Sequence, residues 1–201
     1  MAKPIVVGDI TMSLDGYVTG PRPDVEHGLG HGGEPLHHWV FKGDPVDDTV
    51  LQRAVDRCGA LVMGRRLFDV VDAPQGWSDE LGYGAHHAAV PPVVVITHAA
   101  PTTWRLGPRF RFATGGVRDA IDQAREVAGD KDVVVMGGGD VIRQALDEGL
   151  LDELILHIAP MVLGDGAPLF DGAQRRELEQ VSVEVSPYAS HVTYKVPALG
   201  R

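Results

Sequence analysis

Three consecutive glycines are the first residues of this chain with chemical consequence. They stand in "VVVMGGGDVIRQAL" (133–146), where an apolar run gives way to a helical pattern. Backbone N–H groups at a helix start lack intrahelical partners and lie at the positive end of the helix dipole, so such a corner attracts anions. Gly137, Gly138 and Gly139 carry no Cβ and would let a phosphate approach the main chain closely; they would serve a turn needing positive φ equally well. The dinucleotide pattern GxGxxG would require glycine at Ile142, and the Gly-Lys-Ser/Thr ending of a P-loop is absent, so any phosphate corner here is of another type. A second apolar run, "LVMGRRLFD" (61–69), ends in Gly64 and is followed by Arg65 and Arg66. Two guanidiniums there can clamp a phosphate, and as paired cations at a helix start they oppose its dipole and invite a counter-anion. A third run, "VVVITHAA", ends in Thr97 and His98. Three strand ends carrying polar groups fit the rule that open α/β sheets bind ligands beyond the carboxyl ends of their strands.

Proton chemistry has its candidates in "GEPLHHWVF" (33–41). His37 and His38 have an ordinary pKa close to working pH and could deliver a proton. Glu34 could do so if a pocket desolvates it and raises its pKa. The plainer alternative is a polar helix start with Trp39 packed as a lid. Asp15, in "SLDGY", either positions substrate or shapes an Asp-Gly turn, and the dipeptide favours the turn. His27 and His31 are four apart, but "HGLGH" is too glycine-rich for a metal-binding helix and lacks the glutamate of the zinc pattern, so no metal is expected. His86 and His87, with the neighbouring "PQGWSDELGYG", read as a solvated loop, and Asp165 as a turn former.

These residues need elements to hold them. "PIVVGDIT" (4–11), "ALVMG" (60–64), "PVVVIT" (92–97), "DVVVMG" (132–137) and "DELILHIA" (152–159) are short and rich in Val and Ile, as central strands are. "DDTVLQRAVDRC" (47–58), "VRDAIDQAREVA" (117–128) and "GDVIRQALDEG" (139–149) place apolar residues at helical spacing, with Gly149 as a C-terminal cap. Alternation of the two predicts an α/β sheet, parallel in its middle. "QVSVEVSPY" (180–188) and "HVTYKVP" (191–197) alternate with period two around Pro187 and predict a terminal antiparallel hairpin, making the sheet mixed. The Gly/His/Pro stretch 20–33 is long for a connection inside a compact domain, which points to a functional or mobile loop.

The whole chain, 1–201, reads as one domain, 44% hydrophobic. A net charge of -10 argues against nucleic-acid and anionic-membrane partners, which call for a basic face, while leaving room for a local basic pocket. The single cysteine, Cys58, excludes an internal disulfide and reads as core filler. No apolar run nears the roughly 18 residues of a membrane span, and no leader pattern is visible, so a cytoplasmic protein is expected.

Taken in order, "ITMSLDGYVTGP", "VMGRRLFD", "VVITH", "VMGGGDVIRQAL" and "LLDELILHIAPMVLGDGAPLF" resemble the dihydrofolate-reductase-like family, in particular its bacterial branch related to the reductase domain of riboflavin biosynthesis. The resemblance implies a three-layer fold with a mixed, mainly parallel central sheet and a C-terminal hairpin. It also implies pairing as a homodimer, and NADPH donating hydride to a small planar heterocycle. Carried over by position, it places Thr11 and Val18 beside the nicotinamide, and Gly64, Arg65 and Arg66 at the phosphates on the adenosine side. Thr97 and His98 would line the adenosine end. Gly137, Gly138 and Gly139 would cradle the pyrophosphate, with Asp140, Val141 and Ile142 completing the helix start. Asp15 and Trp39 would face substrate, with Glu34 or His38 as proton donor.

Four positions depart from the family pattern. Leu67 stands where a threonine usually helps hold phosphate. Leu36 stands near the place of the folate-binding carboxylate, and Leu156 near that of its orienting threonine. Gly137 replaces the glutamate that riboflavin-pathway reductases use for their pyrimidine. The pattern thus supports a reductase of unassigned substrate, with a non-catalytic nucleotide-binding module on the same scaffold as the alternative.

Overall fold

The β-branched runs form the strands that their composition predicts, because a run buried on both faces gains by pairing on both sides. In the computed structural model, which describes residues 4–78, 80–85 and 90–198, eight strands make one sheet. They are β1 (Val6–Ser13), β3 (Cys58–Gly64), β4 (Val93–Ile96), β5 (Phe110–Ala113), β6 (Asp132–Gly137), β7 (Glu153–Ala159), β9 (Glu179–Val185) and β10 (Ser190–Lys195). Their order is β5-β4-β3-β6-β1-β7-β10-β9. The first six run parallel, and β10 and β9 close the far edge antiparallel. A two-stranded ribbon, β2 (Tyr17–Thr19) with β8 (Ala167–Pro168), lies apart from this sheet.

Alternation along the strands divides the core into two layers. Val6, Ile10, Ala60, Val62, Val133 and Val135 pack with α4 (Gly116–Val127) and α5 (Gly139–Asp147). Leu61, Met63, Val93, Val95 and Val134 pack with Phe68 and Val71 of α3 (Arg65–Asp72). On that second face, a 3-10 turn (Glu34–His37), α1 (His38–Phe41) and α2 (Pro45–Arg57) complete the cover. Each such fully buried aliphatic side chain contributes about 1.5–3 kcal/mol. α5 ends as its sequence predicts: Gly149, at φ +65°, donates to the Leu146 carbonyl, and Leu150 to that of Ala145.

Three elements exceed the sequence reading. α3 starts at Arg65 with no break after β3, because Gly64 itself serves as N-cap. β5 is a strand although Arg111 interrupts its apolar residues, since Phe110 and Ala113 alone are fully buried there. The 20–33 loop folds back on itself: Gly20 donates to Leu29, His31 to Pro21, and Asp24 Oδ1 accepts from the main chain of Glu26 and His27. His86 and His87 lie outside the described residues.

Candidate cofactor and substrate site

The parallel strands bring β3, β4, β6 and β1 to one edge with their carboxyl ends together, and the glycine corner sits in the middle of it. Gly137 has φ +137°, a conformation that side chains rarely adopt. Gly138 has ordinary angles (φ -70°, ψ -178°), and a Cβ placed on it would meet no atom within 4 Å. Gly139 is buried: its Cβ would come within 3.1 Å of Val18. No side chain caps α5. Open space above Gly138 and free N–H groups at the helix start together make a cradle of backbone donors. On the adjacent strand, a Cβ at Gly64 would lie 3.0 Å from Val141, so the ends of β3 and α5 touch.

The arginines after β3 have different roles. Arg65 is tied down: Nε donates to Asp69 at 2.7 Å, and its Nη1 reaches Thr97 Oγ1 at 3.4 Å and the Ala99 carbonyl at 3.2 Å. It thereby joins the ends of β3 and β4. Arg66 is exposed and makes no hydrogen bond or ion pair among the described residues. Thr97 is buried, its hydroxyl donating to Ala99, whereas His98 is exposed beside it. Asp140, also exposed, faces Arg143.

On the α1–α2 face of the sheet, beside this edge, a polar row crosses three strands. Thr11 of β1 pairs with His157 of β7, which pairs with His191 of β10. Trp39 covers all three: its Nε1 donates to Thr11 Oγ1 at 2.9 Å, and its ring lies 4.1 Å from that of His157 and 5.1 Å from that of His191. His157 Nε2 meets Asp9 Oδ1 at 2.9 Å, the two histidines meet Nδ1 to Nδ1 at 2.7 Å, and His191 Nε2 meets Asp47 Oδ1 at 2.7 Å. Both histidines and Asp47 are buried. Burial, opposed by the bond to Asp47, holds His191 below the ordinary histidine range. His37 is pushed down to about 4, first by burial and then by the neighbouring His157. Among the described residues, no three His, Cys, Asp or Glu side chains converge as a metal site would require.

A sequence model of the RibD C-terminal domain matches residues 4–192. The chain belongs to the RibD C-terminal domain family. It is 23% identical over 184 residues to YyaP, an uncharacterized protein of Bacillus subtilis (strain 168), covering 88% of this chain and 86% of that one. Among solved structures, a protein of Shewanella sp. PV-4 provisionally assigned to riboflavin biosynthesis superposes with a TM-score of 0.69 at 24% identity, covering 96% and 99% of the two chains. A pyrimidine reductase-like protein of Corynebacterium diphtheriae gives 0.64 at 19% identity, covering 96% and 92%. The diaminohydroxyphosphoribosylaminopyrimidine deaminase/5-amino-6-(5-phosphoribosylamino)uracil reductase of Thermotoga maritima gives 0.61 at 16% identity, and this chain spans 57% of its length. These likenesses share the dihydrofolate-reductase-like fold.

Within this RibD C-terminal fold, Thr11, Val18, Gly64, Arg65, Arg66, Thr97 and Gly137 to Ile142 gather along one sheet edge. The proton-donor candidates lie on the 3-10 turn and α1, beside the carboxyl ends of β1 and β7. Glu34 is exposed, with no pocket enclosing it among the described residues. His38 is exposed too, its ring edge-on to Tyr188, and with Pro35, Ala159, Pro160 and Met161 it borders a cavity of about 80 Å³. That is space for two or three waters. Asp15 ties its own turn to the loop after β7: it accepts from Ser13 Oγ and from the main chain of Leu163 and Gly164. The Ser13 bond, then those from the main chain, holds its carboxyl down to about 2. This is the turn role that the Asp-Gly pair predicts. Trp39 is packed and buried, held by its bond to Thr11. Sequence reasoning missed Asp9, Asp47, His157 and His191. The available signal was one polar residue inside each of two apolar strands, "VVGDIT" and "LILHIA".

Proposed function

We propose that this protein is an NADPH-dependent reductase of a small planar heterocycle. The observation that carries the reading is the cradle at Gly138: a main-chain position with ordinary angles, open space where a side chain would point, an uncapped helix start beneath it and the unpartnered Arg66 nearby. These residues fit a dinucleotide. Gly137 to Asp140 would hold its diphosphate, and Arg66, aligned by the anchored Arg65, the additional phosphate that distinguishes NADPH from NADH. Thr97 and His98 would border the adenosine, with Thr11 and Val18 at the nicotinamide end. A dinucleotide bound there supplies hydride; the chain binds it, orients it and keeps water from the reacting atoms. The printed roles of the structural neighbours, one pyrimidine reductase-like and one a uracil reductase, support a riboflavin-related heterocycle as substrate.

Other parts of the reading concern the molecule as a whole. No helix among the described residues is long and apolar enough to cross a membrane, in keeping with the proposed cytoplasmic location. A homodimer would find an unpaired edge on β9, where Val181, Val183 and Val185 are exposed.

Titrating the three tryptophans' fluorescence with NADPH and NADH tests the reading. Quenching by NADPH at concentrations at least tenfold lower than NADH is expected, followed by stoichiometric NADPH oxidation with a member of a pyrimidine, pterin and quinone panel. Equal or absent binding refutes it. The exposure of Glu34 and His38 favours the second reading, a nucleotide-binding module without turnover. Tight NADPH binding with no oxidation across the panel would select that one.

A further inference from the structure

We propose that Asp9, His157, His191 and Asp47 form a proton relay whose outlet, Asp9, supplies the proton that accompanies hydride transfer, an inference that rests on the reductase reading. Its basis is proton counting. A contact of 2.7 Å between two Nδ1 atoms requires one donor and one acceptor, hence one proton between them. Each outer Nε2 faces a carboxylate oxygen at hydrogen-bond distance, so each of those contacts also holds one proton. Three protons therefore serve four groups. With the rings neutral, they can be arranged in two ways. In one, Asp47 is a carboxylic acid and the charge rests on Asp9; in the other, Asp9 is the acid and Asp47 the carboxylate. Moving each proton one place along its hydrogen bond converts the first into the second. A proton stored in the core thus emerges at Asp9 without any group crossing the site.

The surroundings give this chain a direction. Asp47 is wholly buried, and its Oδ2 has no partner among the described residues. An ionised carboxylate with an orphan oxygen is costly in such a place, and the first turn of α2, where Asp47 sits, offsets only part of that cost. Asp9, in contrast, retains 16% of its side-chain exposure. It lies mid-strand, two residues before Thr11 and on the same face of β1, below the end where the reductase reading puts the nicotinamide. The groups facing the row from other elements are His37 from the 3-10 turn and Glu184 from β9, opposite His191 and ion-paired to Arg53 of α2. Cys58 of β3 and Tyr83 act on Asp9, and burial keeps both neutral. His37 stays neutral above about pH 4, so it does not compete for the proton.

The chemistry asks for a planar heterocycle with a polarised double bond, C=N or C=O, whose heteroatom can reach Asp9. That bond gains a hydride at carbon, with reduced nicotinamide as donor and oxidised nicotinamide as by-product. At the heteroatom it gains the Asp9 proton, and the relay refills by one proton from solvent.

Imidazole nitrogens of the full-length, nitrogen-15-histidine-labelled protein, followed by NMR from about pH 5 to pH 9, test this without cofactor or substrate. His157 and His191 are expected to titrate in one coupled process, with a single proton shared between their Nδ1 atoms. Asp47→Asn, which keeps the shape and removes the buried proton store, is expected to displace that process by about one pH unit or more. Two independent titrations in the wild type overturn the proposal, whether or not any variant folds, and so does an unmoved process in a folded D47N. NADPH quenching is measured alongside. A coupled pair in a protein that binds no NADPH would refute the reductase reading, and proton delivery to a substrate with it, leaving the shared proton as fact. Unshared protons in a protein that binds NADPH would refute the relay alone.

Discussion

Gly138→Ala is the substitution that best separates the cradle from the fold. At φ -70° and ψ -178°, alanine is as much at home as glycine, and its methyl would project into space free of other atoms to 4 Å. The folded protein loses no contact, and its unfolded chain loses freedom, so stability should hold or rise by about 0.4–1 kcal/mol. The dinucleotide meets the opposite effect. The methyl would lie where a phosphate must approach the main chain, and breaking one charge-assisted hydrogen bond costs about 1.5–3 kcal/mol. That corresponds to a roughly 10- to 150-fold higher Kd for NADPH. Gly137→Ala is the control: at φ +137° it strains the backbone by about 1–3 kcal/mol and should lower the melting temperature. Thermal unfolding by circular dichroism and fluorescence titration with NADPH read both quantities. An unchanged Kd in a stable G138A protein would refute the reasoning, because the phosphate could then not lie against that backbone.

Three further outcomes follow from the same geometry. Arg66→Ala should leave stability within about 0.5 kcal/mol, since Arg66 has no partner to lose, and should weaken NADPH about tenfold or more while NADH is unaffected; equal losses for both cofactors would contradict its assignment. His37 has a folded pKa of about 4 against an ordinary 6.5, so between those values the unfolded chain binds more protons and stability rises with pH. Stability should therefore fall as pH drops from 6.5 towards 4, by at most about 3 kcal/mol from this group, and His37→Gln should flatten that slope in urea unfolding. Burial pushes the Cys58 thiol up to about 12, so a thiol reagent at pH 8 should react with the denatured protein and leave the native one unmodified over the same interval.

What the sequence discloses and what it withholds have physical reasons. Strands β1, β3, β4, β6 and β7 were legible because Val-rich runs buried on both faces have no other stable use, and the glycine corner because only a special backbone needs three glycines there. α3 was legible only as a helix start at the two arginines, because helix and strand meet at Gly64 without the polar cap that marks most helix starts. The phosphate side of the candidate site could be read from local pattern, since each of its parts adjoins a strand end. The proton side could not. Asp9 and His157 are 148 residues apart, His157 and His191 34, and Asp47 and His191 144, so only the sheet register brings them into one row. Glu34 and His38 adjoin Trp39 in sequence, and the 3-10 turn directs Leu36 and Trp39 inward while Glu34 and His38 stay exposed.

A crystal structure with NADP⁺ bound is the most direct test of the central claim. The account predicts the diphosphate against the main chain of Gly138 to Asp140, Arg66 on the additional phosphate and the nicotinamide at Thr11. A dinucleotide lodged elsewhere, or a Gly138 crevice closed by neighbouring side chains, would contradict it.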